Sequence, residues 1–163
     1  MPLPSTMTPI ATTTVVGSST ASVSFTAISG SYTDIVFVCE IDGSVDDSTR
    51  MRFNSDSATN YSQTNLTGNG STAASTRSAS IAQISLGIGD PTNQTNVIGS
   101  INNYSNSTTY KTVLIRANNS VDAVAARVGL WRSTSAITSI EFFIATSNWV
   151  AGSTFTLYGI KAA

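Results

Sequence analysis

The chain of 163 residues contains no histidine and one cysteine, Cys39. Without imidazole it lacks the side chain whose ordinary pKa lies nearest neutrality and the commonest nitrogen ligand of transition metals. Ser-His-Asp and Cys-His catalysis are thereby excluded, which leaves carboxylate and Ser-Lys chemistries as the enzymatic options. A single cysteine cannot close an intrachain disulfide. Cys39 stands in the run Ile35-Val36-Phe37-Val38-Cys39-Glu40-Ile41, with no basic neighbour or helix start to lower its pKa. It is expected to be a small buried hydrophobe rather than a reactive thiol.

Charge is also scarce. Charged residues make up 10% of the chain, against about 25% in an average globular protein. With two Glu and two Lys in total, long amphipathic helices and coiled coils, which draw heavily on both, are excluded. A formal charge of −1 gives no charge-driven disorder. The eight basic residues are scattered among nine acidic ones, so there is no basic cluster to bind nucleic acid. No apolar run approaches the roughly 20 residues that cross a bilayer. The opening Met1-Pro2-Leu3-Pro4-Ser5-Thr6-Met7 has neither the basic nor the apolar region of a signal peptide. The expectation is a protein with no membrane segment that does not enter a secretory route.

Small neutral polar residues take the place of charge: 26 Ser, 24 Thr and 12 Asn, together 62 of 163 residues. β-branched threonine favours the pleated strand over the helix. Period-two alternation dominates the patterning. In Ala21-Ser22-Val23-Ser24-Phe25-Thr26-Ala27 every odd residue is apolar and every even one hydroxylic, which predicts a strand with one dry and one wet face. Residues 35–41 are apolar almost throughout, which predicts a strand buried on both faces or covered by a neighbouring subunit. Further strands are predicted over Arg50–Asn54, Ala79–Ile88, Val97–Asn102, Lys111–Arg116, Ala126–Trp131, Ile137–Ala145 and Thr154–Ile160. Only Val121–Arg127, with three alanines, has the composition of a helical turn. Turn signals at Asp42-Gly43, Asn69-Gly70, Gly89-Asp90-Pro91 and Asn118-Asn119 separate these runs.

This spacing predicts an all-β fold, an antiparallel β-sandwich of jelly-roll type with little or no helix. Residues 1–12, with Pro2, Pro4 and Pro9, read as an extended N-terminal arm, and 13–163 as a single sandwich domain. The polar stretch from Asn54 to Ser80 reads as a long irregular segment, functional or mobile.

Several groupings have letters that chemistry uses. Asp42, Asp46 and Asp47 around Gly43 could offer oxygen ligands to calcium, but without the spacing of a known calcium loop they read as a solvated hairpin. Asp56 with Asn54 and Asn60 makes a second oxygen-rich patch that Asx-turn geometry also explains. Glu40 and Glu141, in different strands, form a glycosidase pair only if the fold brings them face to face. Otherwise they point outward or pair with arginine. Gly68-Asn69-Gly70-Ser71-Thr72 lacks the lysine of a phosphate loop. Trp131 and Trp149 serve either as a sugar-stacking platform or as core or interface anchors. No catalytic, cofactor-binding or metal-binding residue is assigned, and no enzyme activity is expected.

A surface of Ser, Thr and Asn has little self-repulsion and suits long-lived contacts between copies. Low charge is a solubility liability, so sheet edges are expected to be covered by partner chains, most simply in a homotrimer about a threefold axis.

Three stretches carry a family resemblance. They are Ala21–Ile28 followed by Tyr32-Thr33-Asp34-Ile35, then Phe53–Ser62 with Leu66-Thr67-Gly68-Asn69-Gly70-Ser71, and finally Gly129-Leu130-Trp131-Arg132-Ser133 continuing through Ala136–Ile140 to Ala151–Ile160. Together they resemble small virion structural proteins of tailed bacteriophages, over most of residues 10–163. The resemblance implies a β-sandwich that acts as a capsid decoration or cement protein, binding the major capsid protein on the outside of the shell in the virion. It equally fits a receptor-binding module of a tail fibre or baseplate, in which residues 54–80 and Trp131 or Trp149 contact host glycan. It brings no catalytic residues and no cofactor. The chain's size, one domain plus a short arm, favours the decoration role.

Overall fold

The computed structural model describes residues 6–18, 20–119 and 123–161. Among these residues the chain is all-β, with twelve strands and no helix. The first six strands are β1 (Met7–Thr14), β2 (Ser22–Phe25), β3 (Asp34–Ile41), β4 (Asp47–Phe53), β5 (Tyr61–Gly68) and β6 (Ala73–Ile81). The rest are β7 (Ile84–Gly89), β8 (Thr95–Ile101), β9 (Lys111–Asn119), β10 (Ala123–Trp131), β11 (Ile140–Ile144) and β12 (Thr154–Ile160).

They form two antiparallel sheets that pack as a sandwich. The large sheet has eight strands in the order β1-β12-β3-β8-β9-β10-β5-β6, and the small sheet four in the order β2-β11-β4-β7. The first four places of the large sheet match the small sheet in winding. The segments β1–β2, β3–β4, β7–β8 and β11–β12 each cross from one sheet to the other, in the manner of a jelly roll. The other four strands, β9, β10, β5 and β6, extend the large sheet on the β7 side, with β9, β10 and β5 still packed in part against the small sheet and β6 exposed.

The core fills with the inward-facing members of these alternating strands. Ile35, Phe37, Cys39 and Ile41 of β3 are fully buried, as are Phe155 and Leu157 of β12 and Ile140 and Phe142 of β11. Phe37 and Phe155 each pack on Phe142 across the two sheets, with ring centroids 5.3 and 5.5 Å apart, and Trp149 lies edge-on to Phe155 at 5.1 Å. A second aromatic group joins Phe53, Tyr61 and Trp131, with Tyr61 and Trp131 stacked at 17° between planes. Glycine at position 99 makes the first cluster possible: a Cβ there would lie 2.1 Å from the Phe37 ring, which is its register partner.

The larger sheet seals the free edge of the smaller one with side chains. Three polar residues on its inner face reach the backbone of β7. Gln63 Oε1 accepts from Ser85 N at 2.7 Å, Arg127 Nη1 donates to Leu86 O at 2.9 Å, and Thr95 Oγ1 donates to Ile88 O at 2.7 Å. Gln63 and Thr95 are buried, so these bonds replace water on an edge that would otherwise be open.

Several sequence expectations are corrected here. The run Ala79–Ile88 is not one strand. It divides into the end of β6 and the start of β7, in different sheets, and Ser80 turns the chain with φ of 55° at a bulge opposite Tyr61 and Ser62. The polar stretch 54–80 is not irregular: it holds β5 and β6, a hairpin closed at Asn69-Gly70. Asn69 Oδ1 accepts from Ser71 N and Thr72 N there, and Gly70 takes φ of 84°. Both faces of most of β6 are exposed, so no dry side selects apolar residues and the period-two signal vanishes. Within the expected helical turn, residues 123–127 belong to β10, and 121–122 lie outside the described residues. In the expected arm, residues 7–12 pair along β12, with a register shift between Pro9 and Ala11. Proline fits there because β1 is an edge. Residues 1–5 of the arm lie outside the described residues. Strand β3 is dry on one face only; Val36 and Val38 are half-buried on the other and Glu40 is exposed.

The seal predicts that Gln63→Ala destabilises the fold by about 1–3 kcal/mol, because it leaves the Ser85 amide buried without an acceptor. Urea unfolding of the variant checks this; a midpoint equal to that of the parent would show that β7 does not need the bond.

Candidate assembly surface

The groupings with chemical letters are dispersed. Glu40 lies on the outer face of the large sheet and Glu141 on the outer face of the small one, on opposite sides of the sandwich, so they form no carboxylate pair. Glu141 bonds Arg52 at 3.2 Å, and the same guanidinium lies 4.2 Å over the Phe143 ring. Asp42, Asp46 and Asp47 do not converge as a calcium site. Asp47 turns to Thr146, accepting its backbone N at 2.7 Å and its hydroxyl at 3.0 Å, and Asp46 is exposed. Burial and the nearby Asp90 carboxylate raise the pKa of Asp42, whose Oδ1 has no hydrogen-bond partner among the described residues. Among those residues no group of three or more His, Cys, Asp or Glu is placed to hold a metal ion. Burial pushes the Cys39 thiol far up, the behaviour of a core residue.

Both tryptophans are in the core: Trp131 is 2% exposed and Trp149 0%. That overturns their use as a sugar-stacking platform, since neither ring presents a face to a ligand. Trp131 is instead the anchor of a polar network at one end of the sandwich. Its Nε1 donates to Asp56 Oδ2 at 2.7 Å, and Asn60 Nδ2 donates to the same oxygen at 2.9 Å. Asp56 Oδ1 accepts from Ala58 N at 2.9 Å, the Asx turn that the sequence allowed. Burial by itself would raise the pKa of Asp56, but the hydrogen bonds from Asn60, Trp131 and Ala58 outweigh it and hold the carboxyl below its ordinary 3.8. Asn54 completes this end. At φ of 50° it donates from Nδ2 to Ala136 O at 2.8 Å and accepts at Oδ1 from Thr138 N at 2.8 Å and Ser139 N at 3.1 Å. The Tyr61 hydroxyl, pushed up to about 12 by burial, donates to Phe53 O and accepts from Phe53 N.

One buried cation carries no motif. Lys111 is 1% exposed, and its Nζ donates to Thr109 O at 2.7 Å and Thr134 O at 3.2 Å. Burial lowers its pKa. Strand parity was its signal: with Val113 and Ile115 inward in a strand beginning at 111, Lys111 must point inward as well.

The most distinctive surface is the outer face of the large sheet. In cross-strand register, one row runs Val38-Ile98-Arg116-Ala126-Leu66 and the next Val36-Ser100-Leu114-Val128-Thr64. Leu66, Leu114, Val124 and Val128 are 57%, 50%, 66% and 50% exposed. Val36, Val38, Ile98 and Leu130 continue the patch half-buried. A groove beside this ridge is lined by Ile98, Arg116, Val124 and Ala126, among others. The outer face of the small sheet holds Ser22, Ser24, Arg50, Arg52 and Glu141, with Phe143 and Ile88 as its large apolar residues. Its apolar surface is less extensive than that over β8, β9, β10 and β5. Contiguous exposed aliphatic surface is costly on a chain this poor in charge.

The Asp56 network generates a pH-dependent expectation. A carboxylate with a depressed folded pKa contributes its full stabilisation above its unfolded pKa and loses it as pH falls below about 3.8. Asp56→Asn is expected to destabilise the protein by about 1–3 kcal/mol at neutral pH, because an amide cannot accept on both sides from Trp131 and Ala58. The gap between parent and variant should narrow as pH falls below 3.8. A gap of constant size in urea titrations from pH 7 to pH 2.5 would contradict the assignment.

No family model, curated protein or solved structure matches this chain.

Proposed function

We propose that the protein is a structural component of a tailed-phage particle, a decoration or cement protein that coats the outside of the capsid as a homotrimer. The observation that carries this reading is the exposed aliphatic face over β8, β9, β10 and β5. An enzyme or a small-ligand carrier needs a concave site with convergent polar groups. A protein whose work is to stay bound at high local concentration needs a broad dry surface instead. The hydroxyl-rich remainder of the molecule, with a formal charge of −1, opposes close packing of copies less than a charged surface would. The setting rests on the sequence resemblance alone, over most of residues 10–163, and in this reading the aliphatic face is the means of assembly.

A second reading, a receptor-binding module of a tail fibre or baseplate, is favoured by one observation. The β5–β6 hairpin ends the large sheet and exposes hydroxyl groups on both faces of β6, together with Arg77. In that setting the hairpin, rather than either tryptophan, would meet host glycan.

Quantitative mass spectrometry of purified virions against the major capsid protein decides between them. About one copy per capsid subunit is expected for trimers on a capsid lattice. A small number of copies per particle would move the protein to the tail, and its absence from particles would overturn both readings.

A further inference from the structure

Two charges of opposite sign, unpaired among the described residues, lie on the same sheet face as the aliphatic patch. Arg116 projects from β9 at its centre, beside Ile98 of β8. Glu40 projects from β3, beside Asn96 of β8. Both are exposed, and among the described residues neither makes an ion pair or a side-chain hydrogen bond. Two strand spacings, about 10 Å, separate their strands, so each charge is left for a group outside the molecule.

The face is also divided in relief. Leu114, Val128 and Leu66 form a ridge on the β9–β10–β5 side. Toward β8, Ile98, Gly99, Ser100, Leu114 and Arg116 line a second hollow, next to the first groove. Arg116 lines both hollows and Glu40 stands on the β3 side of the same face, so the face carries one cation and one anion, offset from each other, and is complementary in charge to a second copy of itself. An anionic lipid or polyanion would call for cations alone, and Glu40 opposes it. A purely apolar ligand would leave Arg116 desolvated without a partner, at a cost of several kcal/mol.

Resting on the self-assembly reading above, we infer that the occupant is a second copy of this chain. The β9–β10–β5 side of one copy packs on the β3–β8 side of the next, with Arg116 of the first against Glu40 of the second. The contact is head-to-tail, the kind that closes into a ring of three where each copy is turned by a third of a revolution from the last. The outer face of the small sheet stays in water.

The test is sedimentation equilibrium of the full chain, with near-ultraviolet circular dichroism to verify folding. The parent is expected to be a trimer. Arg116→Glu and Glu40→Arg should each weaken association at least tenfold, while the double variant Arg116→Glu/Glu40→Arg recovers it. Val128→Asn should weaken association without touching either charge, and Arg50→Glu, on the other sheet, should leave it unchanged. A parent that is monomeric at all concentrations would overturn the self-assembly reading itself. A trimer indifferent to Arg116→Glu, Glu40→Arg and Val128→Asn would overturn this face and leave self-assembly standing. Weakening by both single charge changes with no recovery in the double variant would overturn the pairing of Arg116 with Glu40.

Discussion

The architecture depends on how an eight-stranded sheet closes over one of half its width. β7 is the edge of the small sheet, and no strand lies beyond it to take up its backbone groups. Thr95, Gln63 and Arg127, from three strands of the large sheet, perform that task. Because side chains seal this edge, the large sheet is free to run on past it. The inward positions Gln63 and Asn65 of β5 and Arg127 of β10 are therefore polar where a continuous sandwich would have aliphatic residues. The burial of Arg127, which lowers its pKa, follows from the same arrangement.

The inner face of β9 stays apolar, with Val113, Ile115 and Ala117 buried, but toward β5 the inner face turns polar at Arg127, Gln63, Asn65 and Thr67, while the outer face over the same strands holds Leu66, Leu114, Val124 and Val128. An outer face left in water would gain nothing from these aliphatic residues, and each costs solubility in a chain with so little charge. The arrangement is intelligible if the outer face is buried in an assembly. It joins the sequence-level argument, that a hydroxyl-rich, nearly neutral surface suits packed copies, to a definite region of the fold.

The parts of this architecture that the sequence made legible are those with one wet and one dry side. β12 falls on the expected residues, and β3, β8 and β11 within three residues at either end, because Ile101, Phe142 and Leu157 stand in alternating runs and Phe37 in a nearly continuous apolar one. The Asn69-Gly70 and Gly89-Asp90-Pro91 turns were legible through local chemistry, and Asp90 accepts from Thr92 N and Asn93 N as such a turn requires. β5 and β6 were hidden, since strands exposed on both faces have no hydrophobic period to display. The split at Ser80 was hidden too, because a non-glycine residue at positive φ carries no signature. β1 was obscured by Pro2, Pro4 and Pro9, although proline is acceptable on an edge. The tryptophans were left open between platform and core. Only the fold, which stacks Trp131 on Tyr61 and places Trp149 against Phe155, resolves them. The outer aliphatic face was partly foreshadowed in β3, where Val36 and Val38 break the alternation.

Carbene footprinting of the full chain, at high and at limiting dilution, tests the central claim most directly. Burial of the outer face of the large sheet by another copy predicts that Leu66, Leu114, Val124 and Val128 lose labelling at high concentration, while Phe143 and Arg50 on the small sheet label equally at both. Equal labelling of the four aliphatic residues at both concentrations, or protection confined to the small sheet, would contradict it.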